Sequence, residues 1–469
     1  MSVWSPGDAW PSPTSGGAVS PNWGGYVRLW VRAAIAAGNP FHMGTHPQDR
    51  LDGGNVLSGG EIATARGPST GRLWVDLSCD IIDVEIQGGS SSAQGIFSKA
   101  DACTLSATIA DPAGDYDPLN RTSPFAYGGR SRLVPGVPVE AFVEVVDGDT
   151  GDWQRITIFT GTADSWGEEW TPTASNRQAK LIATDETKRW ARYNRLEQAA
   201  QGAGDTVQQR IDRIVTFFDW AGEVEHPAGG SSRTLQATTL AQPGWELLNR
   251  ATDDELGVVY FTADGKLRWL NRETWGTYNP TRLTLGCDSL DADAYDVLVE
   301  AHPANLDAQL RNDVRASRAG GSERHAFSLS SQDSYGAYEF KRTDLGLNDD
   351  AQVGDWATKV VELYAFPQIG LADVTMLPAV AESSSELWAT VLDWVLYTDI
   401  LRVLWAPPGL PDNVVDALVR VVGYSHRVSF ARWEVAWQLT AARPISYAGV
   451  VFHMGPHAQD KLDTAFVMG

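Results

Sequence analysis

Two pairs of histidines carry the most suggestive chemistry in this chain. His42 and His46, and again His453 and His457, stand four residues apart, the spacing at which two imidazoles on one helix face share a zinc ion. Their surroundings argue against that use. Gly44 or Gly455 lies inside each pair, Pro47 follows the first and Pro456 interrupts the second, so a helix is not expected. No Glu stands where a metalloprotease keeps its base. No metal, cofactor or catalytic residue is therefore assigned.

The pairs belong to a longer repeat. Residues 41–52 (FHMGTHPQDRLD) return as residues 452–463 (FHMGPHAQDKLD), with nine of twelve positions identical. Copies so short and so distant cannot stack as a solenoid, which needs contiguous units of roughly 20–50 residues. They read as one docking device used twice. Phe41, His42, Met43, Gly44 and Leu51 in the first copy, and Phe452, His453, Met454, Gly455 and Leu462 in the second, would seat in a groove on a partner.

Other catalytic signatures are missing. There is no GxSxG elbow, no GxxxxGK[ST] loop and no GxGxxG after a strand. The 59 acidic residues leave a glycosidase-type carboxylate pair open, because spacing in sequence does not give separation in space. Asp117, Asp185 and Asp333 fall near expected turns, where Asp bonds its own backbone. Cys79, Cys103 and Cys287 form no CxxC, which suits a reducing compartment, and Cys79 and Cys103 sit in strand-like settings as small buried hydrophobes.

Charge narrows the function classes. The net charge of −22 is dispersed along 469 residues. Such a surface repels phosphates, so neither sequence-reading DNA binding nor adsorption to an anionic membrane is expected. It suits a wall that nucleic acid slides past, as it also suits plain solubility. No run of about 18 apolar residues offers a membrane span, and the N-terminus lacks a signal-sequence pattern.

The elements follow from periodicity. Residues 1–70 are rich in Gly, Pro and Ser and read as an extended arm whose Trp4, Trp10, Trp23 and Trp30 would anchor in neighbouring subunits. From Leu73 apolar residues alternate with polar ones to Ile81, then in shifted phase from Ile82 to Ile86, which predicts strands joined by a bulge or bend. Further strands are expected at 103–109, 139–146, 156–161 and 180–184, giving a β-barrel or sandwich over 71–190. A helix capped by Asp205, a second near Trp245 and a hairpin at Asp264-Gly265 make 191–285 an α+β insertion. In 286–450 a helix through Val353, Trp356, Val360 and Tyr364 precedes strands at 400–405, 418–424 and 433–439, the last two joined by a turn through His426. Residues 451–469 form a tail with the second FHMG copy.

Several runs together resemble the minor tail proteins of long-tailed actinobacteriophages. These are 110–120 (ADPAGDYDPLN), 123–128 (SPFAYG), 133–139 (LVPGVPV) and 158–166 (IFTGTADSW), then 263–269 (ADGKLRW), 310–314 (LRNDV), 332–336 (QDSYG) and 421–426 (VVGYSH) with Trp433. The resemblance covers roughly 73–447. It implies a mainly β protein with α+β insertions: two tube-type β-barrel domains, a small α+β domain and extended terminal arms. It further implies a baseplate hub, a homotrimer at the virion tail tip, assembled in the host cytoplasm. Its partners would be the distal tail ring and other tip proteins, with the tape measure protein a further one, and DNA would transit without specific binding. Rivals from other classes are a tail-associated cell-wall hydrolase and a carbohydrate-binding adhesin that uses some of the 19 tryptophans.

Overall fold

The computed structural model describes residues 27–36 and 72–442, apart from 92–96, 98, 128, 147–149, 170–176, 194–198, 232, 277–278, 288–290, 292, 307–308, 381–384, 407–414 and 430–431. Fourteen strands join into one sheet. The first seven are β1 (Val27–Ala36), β2 (Arg72–Asp76), β3 (Ile81–Gly89), β4 (Asp101–Ala110), β5 (Pro138–Val146), β6 (Trp153–Glu169) and β7 (Gln178–Thr184). Their pairing order is β2-β1-β5-β6-β7-β4-β3. The ends of that path meet in the chain itself, because β2 runs into β3 through a 3-10 turn at Ser78–Asp80. This is the first barrel. Alternation drives it: in β4 the side chains of Cys103, Leu105, Ala107 and Ile109 are buried while their neighbours face outward.

The second barrel repeats the plan. Its strands are β8 (Thr281–Gly286), β9 (Tyr295–Asp296), β10 (Leu298–Leu306), β11 (Gln368–Met376), β12 (Ile400–Trp405), β13 (Val415–Ser429) and β14 (Arg432–Ala441). They pair in the order β9-β8-β12-β13-β14-β11-β10, so each strand of the first barrel has its counterpart seven places later. Again the end strands are consecutive, β9 passing to β10 through Val297. One strand breaks the correspondence: β1 is antiparallel to β2 and β5, whereas β8 is parallel to β9 and β12. The α+β insertion delivers the chain to β8 from the opposite end. It holds α1 (Thr187–Arg192), α2 (Val207–Phe217), α3 (Gly244–Asp253), α4 (Arg272–Gly276) and a hairpin of Val258–Phe261 with Leu267–Leu270. A second excursion between β10 and β11 carries α5 (Leu329–Tyr335) and α6 (Asp350–Tyr364) beside a three-stranded sheet. The helix α7 (Ser385–Leu392) follows β11 and packs Trp388 on Trp433 at 4.8 Å between ring centres.

Several sequence expectations need correction. Residues 27–36 are no part of an arm: β1 is an interior strand, paired with both β2 and β5. Trp30 serves this chain's own barrel. It is 8% exposed, stacks on Phe142 at 5.9 Å and donates its indole N–H to Glu144 at 3.0 Å. Its partners lie more than 100 residues away, and the residues on either side of the strand have no pattern to announce it. The phase slip near Ile81 is the 3-10 turn, on which Cys79 is exposed rather than buried. Thr206, not Asp205, caps α2 through a capping box with Gln209, while Asp205 accepts from Arg210 and Arg213. The reversal after β13 comes beyond Ser429, so His426 sits inside the strand.

A polar wall across both barrels

The two barrels join through one pair of strands, β3 with β13, in antiparallel register from Gly423 opposite Gly89 to Ser429 opposite Asp83. β13 serves both neighbours. Its first half pairs with β12 and its second half with β3. Close backbone approach at this seam requires glycine: a Cβ on Gly423 would meet the Ser90 carbonyl oxygen at 2.1 Å, and one on Gly89, whose φ is +79°, the Val422 carbonyl oxygen at 2.4 Å.

Through the seam runs an unbroken antiparallel sheet of eight strands, β6-β7-β4-β3-β13-β14-β11-β10. Its two faces differ sharply. One row of cross-strand neighbours reads Thr162, Thr184, Thr104, Gln87, Ser425, Ala436, Thr375 and Glu300. The next reads Ser165, Ile182, Ser106, Glu85, Arg427 and Glu434, and beyond it Gly167, Lys180, Thr108, Asp83, Ser429 and Arg432. The opposite face is core. There Ala183, Leu105, Ile86, His426, Val435 and Met376 stand in a buried row, with His426 the polar exception.

The outer face is held by short polar contacts. The Thr108 hydroxyl donates to Asp83 at 3.0 Å, Arg427 donates to Glu85 at 3.1 Å, and His302 Nδ1 hydrogen-bonds the Asp373 carboxylate at 2.6 Å. Partial burial pushes Glu85 up, but hydrogen bonds from Gln87 and Arg427 outweigh it and hold the carboxyl below its ordinary value. The bond to Asp373 raises His302. Five carboxylates (Asp83, Glu85, Glu300, Asp373, Glu434) face three cations (Lys180, Arg427, Arg432). Hydroxyls, amides and a slight acidic excess give phosphates little to bind.

Behind the seam lies a cavity of about 80 Å³ lined by Gly88, Cys103, Tyr260, Arg268, Tyr424 and His426, among others. Its thiol and its imidazole are both held neutral. Burial pushes the Cys103 thiol well up, and burial pushes His426 down to about 4, so neither a thiolate nor an imidazolium forms near neutrality. Nearby, Asp185 accepts from the backbone of Cys103 and Thr187, as an Asp in a turn does, yet burial raises it to about 7. Asp117 likewise accepts from the backbone of Leu119, whereas Asp333 lies within α5. Among the described residues no group of His, Cys, Asp or Glu could hold a metal ion, and no helix is long and apolar enough to cross a membrane.

The fold has relatives among solved structures. The tail protein from Neisseria meningitidis MC58 superposes with a TM-score of 0.50 at 12% identity, covering 76% of this chain and 91% of that one. The fold is similar to that of a tail protein. The 43 kDa tail protein of prophage MuSo2 from Shewanella oneidensis also matches, at a TM-score of 0.47 and 12% identity over 79% of this chain and 94% of that one. No protein-family model and no curated sequence matches the chain.

Of the residues singled out in the sequence, Trp4, Trp10, Trp23 and both FHMG segments lie outside the described residues, and Trp30 lies in the first barrel. The wall itself was not read from the sequence. Its signal was present in part: β4 alternates Thr104, Ser106 and Thr108 with apolar residues, an outer face with no charge and little bulk. What no single strand reveals is that eight such faces are contiguous.

Proposed function

We propose that this chain is a structural hub of a phage tail tip, of the kind the long-tailed actinobacteriophages make, that caps the tail tube and lines or gates the DNA passage. The observation that carries this reading is the eight-stranded wall, polar and faintly acidic on one face, spanning two barrels of one strand order. Three chains would set six barrels in a ring, matching a sixfold tube from threefold symmetry. Three walls hold 24 strands, which at about 4.8 Å per strand make a circumference of roughly 115 Å and, after side chains, a bore of roughly 25 Å. Such a bore passes a DNA duplex, and the wall chemistry would let it slide. The FHMG segments fit the same logic, offering six like contacts to the distal ring from three chains. The hub would be made in the host cytoplasm and reside in the virion, with no catalytic part.

Light scattering on the purified chain and negative-stain images test this directly. A three-chain ring with an open centre is the expected result, and a stable monomer or a twofold dimer overturns it. Removing residues 452–469 should leave the ring intact while abolishing attachment to the distal tail ring.

A further inference from the structure

The wall ends in two unpaired strand edges. At one end, β6 pairs with β5 only as far as Thr162, and a last turn contact links Ala163 to Gly136 and Val137. From Asp164 to Glu169 no described strand occupies that side of β6. At the other end, β10 pairs with β11 and, among the described residues, with no strand on its outer edge. Long unpaired edges are templates for pairing with another chain.

The internal repeat says which chain. β6 is the counterpart of β13, and β10 of β3, and β13 with β3 is the seam that already joins the two barrels. The correspondence reaches single residues at the first bulge of each strand, whereas the second irregularity differs, β3 slipping against β4 between Gln87 and Gly89 and β10 against β11 between His302 and Pro303. β6 bulges at Asp164 against β7, and β13 bulges at Val422 against β14. β3 bulges at Ile82 and β10 at Val299, both exposed. Even the turn contact recurs, with the Tyr397 N–H on the Val421 carbonyl matching the Gly136 N–H on the Ala163 carbonyl.

We propose that β6 of one subunit pairs antiparallel with β10 of the next, repeating between chains the seam that β13 and β3 make within one. This rests on the three-subunit hub reading and specifies how its ring closes. Aligning the bulges fixes the register: Ser165 faces Leu306, Gly167 faces Ala304, and Glu169 faces His302. Within the chain the Ser90 N–H donates to the Val422 carbonyl at 2.7 Å, so Ile86 with His426 is a hydrogen-bonded pair and Gln87 with Ser425 is not. Pro303 takes the place of Ile86, on the free edge where a proline is tolerated. The seam between chains thus has one donor fewer and is the weaker of the two. The contact is head-to-tail, so the rotation between copies decides closure, and six barrels in a ring require three.

Gly167 with Ala304 is the counterpart of Ser425 with Gln87, a non-hydrogen-bonded pair whose short Cα separation suits a disulfide. A Cβ at Gly167 meets nothing closer than 3.7 Å. In a Cys79→Ser background, the full chain with Gly167→Cys and Ala304→Cys should oxidise to a ladder that ends at a covalent three-chain species on a denaturing gel. Gly167→Cys with His302→Cys, two residues out of register, should yield at most a tenth as much. If light scattering shows trimers but the in-register pair stays uncrosslinked, or both pairs crosslink equally, the pairing is wrong and the hub reading stands. If no trimers form, both fall.

Discussion

The two barrels reach one strand order by different means. In the first, the residue at the left-handed turn before β5 is Gly136 (φ +87°); in the second, its counterpart before β12 is Tyr397 (φ +65°). A non-glycine residue there is strained by roughly 1 kcal/mol or more. The second barrel compensates with a buried arginine. Arg420 donates to the Tyr397 carbonyl at 2.8 Å and to those of Thr398 and Ala442, where the aligned first-barrel position is Thr162. The Tyr397 ring also packs 5.4 Å from Tyr260 of the insertion hairpin. The first barrel turns that corner on a glycine, whereas the second is tied at the same corner to the inserted domain. The duplicated plan therefore fixes where strands lie, and the corner residues fix what each barrel is attached to.

The strongest way to break this comparison is at the seam. Gly423→Val drives a side chain into the Ser90 carbonyl, and overpacking of backbone with no room to yield should cost about 3 kcal/mol or more. Gly167→Ala on the corresponding stretch of β6, where the edge is open, should be nearly silent. Thermal unfolding of the two variants measures the contrast, and equal losses would mean that the seam is no closer packed than the free edge.

Next in size is the corner. Arg420→Met should cost about 2–3 kcal/mol, since it leaves buried carbonyls without donors around an already strained turn. Burial lowers the Arg420 guanidinium to about 10, still far above neutrality, so the charge is present to be lost. Thr162→Val should cost less than about 1 kcal/mol. Denaturant midpoints compare the pair, and similar costs would remove Arg420 from the argument.

How much of this was legible beforehand depends on distance in sequence. β4, β5, β7 and β14 announce themselves by alternation, β12 by a short apolar run and α6 by its apolar stripe, because those patterns are complete within ten or fifteen residues. The hairpin at Asp264-Gly265 is equally local. β1 was missed because its partners on β5 lie 114 residues away at Trp30 and Glu144, and β9 because two residues carry no period. The wall was missed for the same reason. Thr104 and Ser425 are polar residues on ordinary strands until the register places both beside Gln87.

A smaller effect separates the two faces of the wall by pH. His426 accepts from the Trp433 indole at 3.4 Å within the apolar row, which requires it neutral. Its folded value of about 4 lies below the ordinary 6.5, so the stability it allows is complete above pH 6.5 and is lost as pH falls toward 4. By pH 4 that loss is about 2–3 kcal/mol. Asp185 and Asp254, raised to about 7 by burial, act in the opposite sense: they stabilise below 3.8 and lose that contribution as pH rises through 7. The difference between the wild type and His426→Gln therefore isolates the histidine. It should narrow steadily from pH 7 to pH 4, and a constant gap would show that His426 does not titrate on unfolding.

The smallest effect on stability belongs to the outer face, and it is the most telling about purpose. Arg427 and Glu85 meet across the seam with side chains 64% and 38% exposed, a setting in which an ion pair contributes about 0–1 kcal/mol. Arg427→Gln should shift the unfolding midpoint barely, and Asp83→Lys with Glu85→Lys hardly more. A face that contributes so little to folding has no structural reason to stay polar and faintly acidic, Ile182 aside, across eight strands. If its reason is transit, the double lysine variant should assemble into particles normally yet slow DNA ejection several-fold, with the delay relieved by added salt as phosphate contacts are screened. Unchanged ejection at low salt would break the link between the wall and the passage while leaving the barrels as they are.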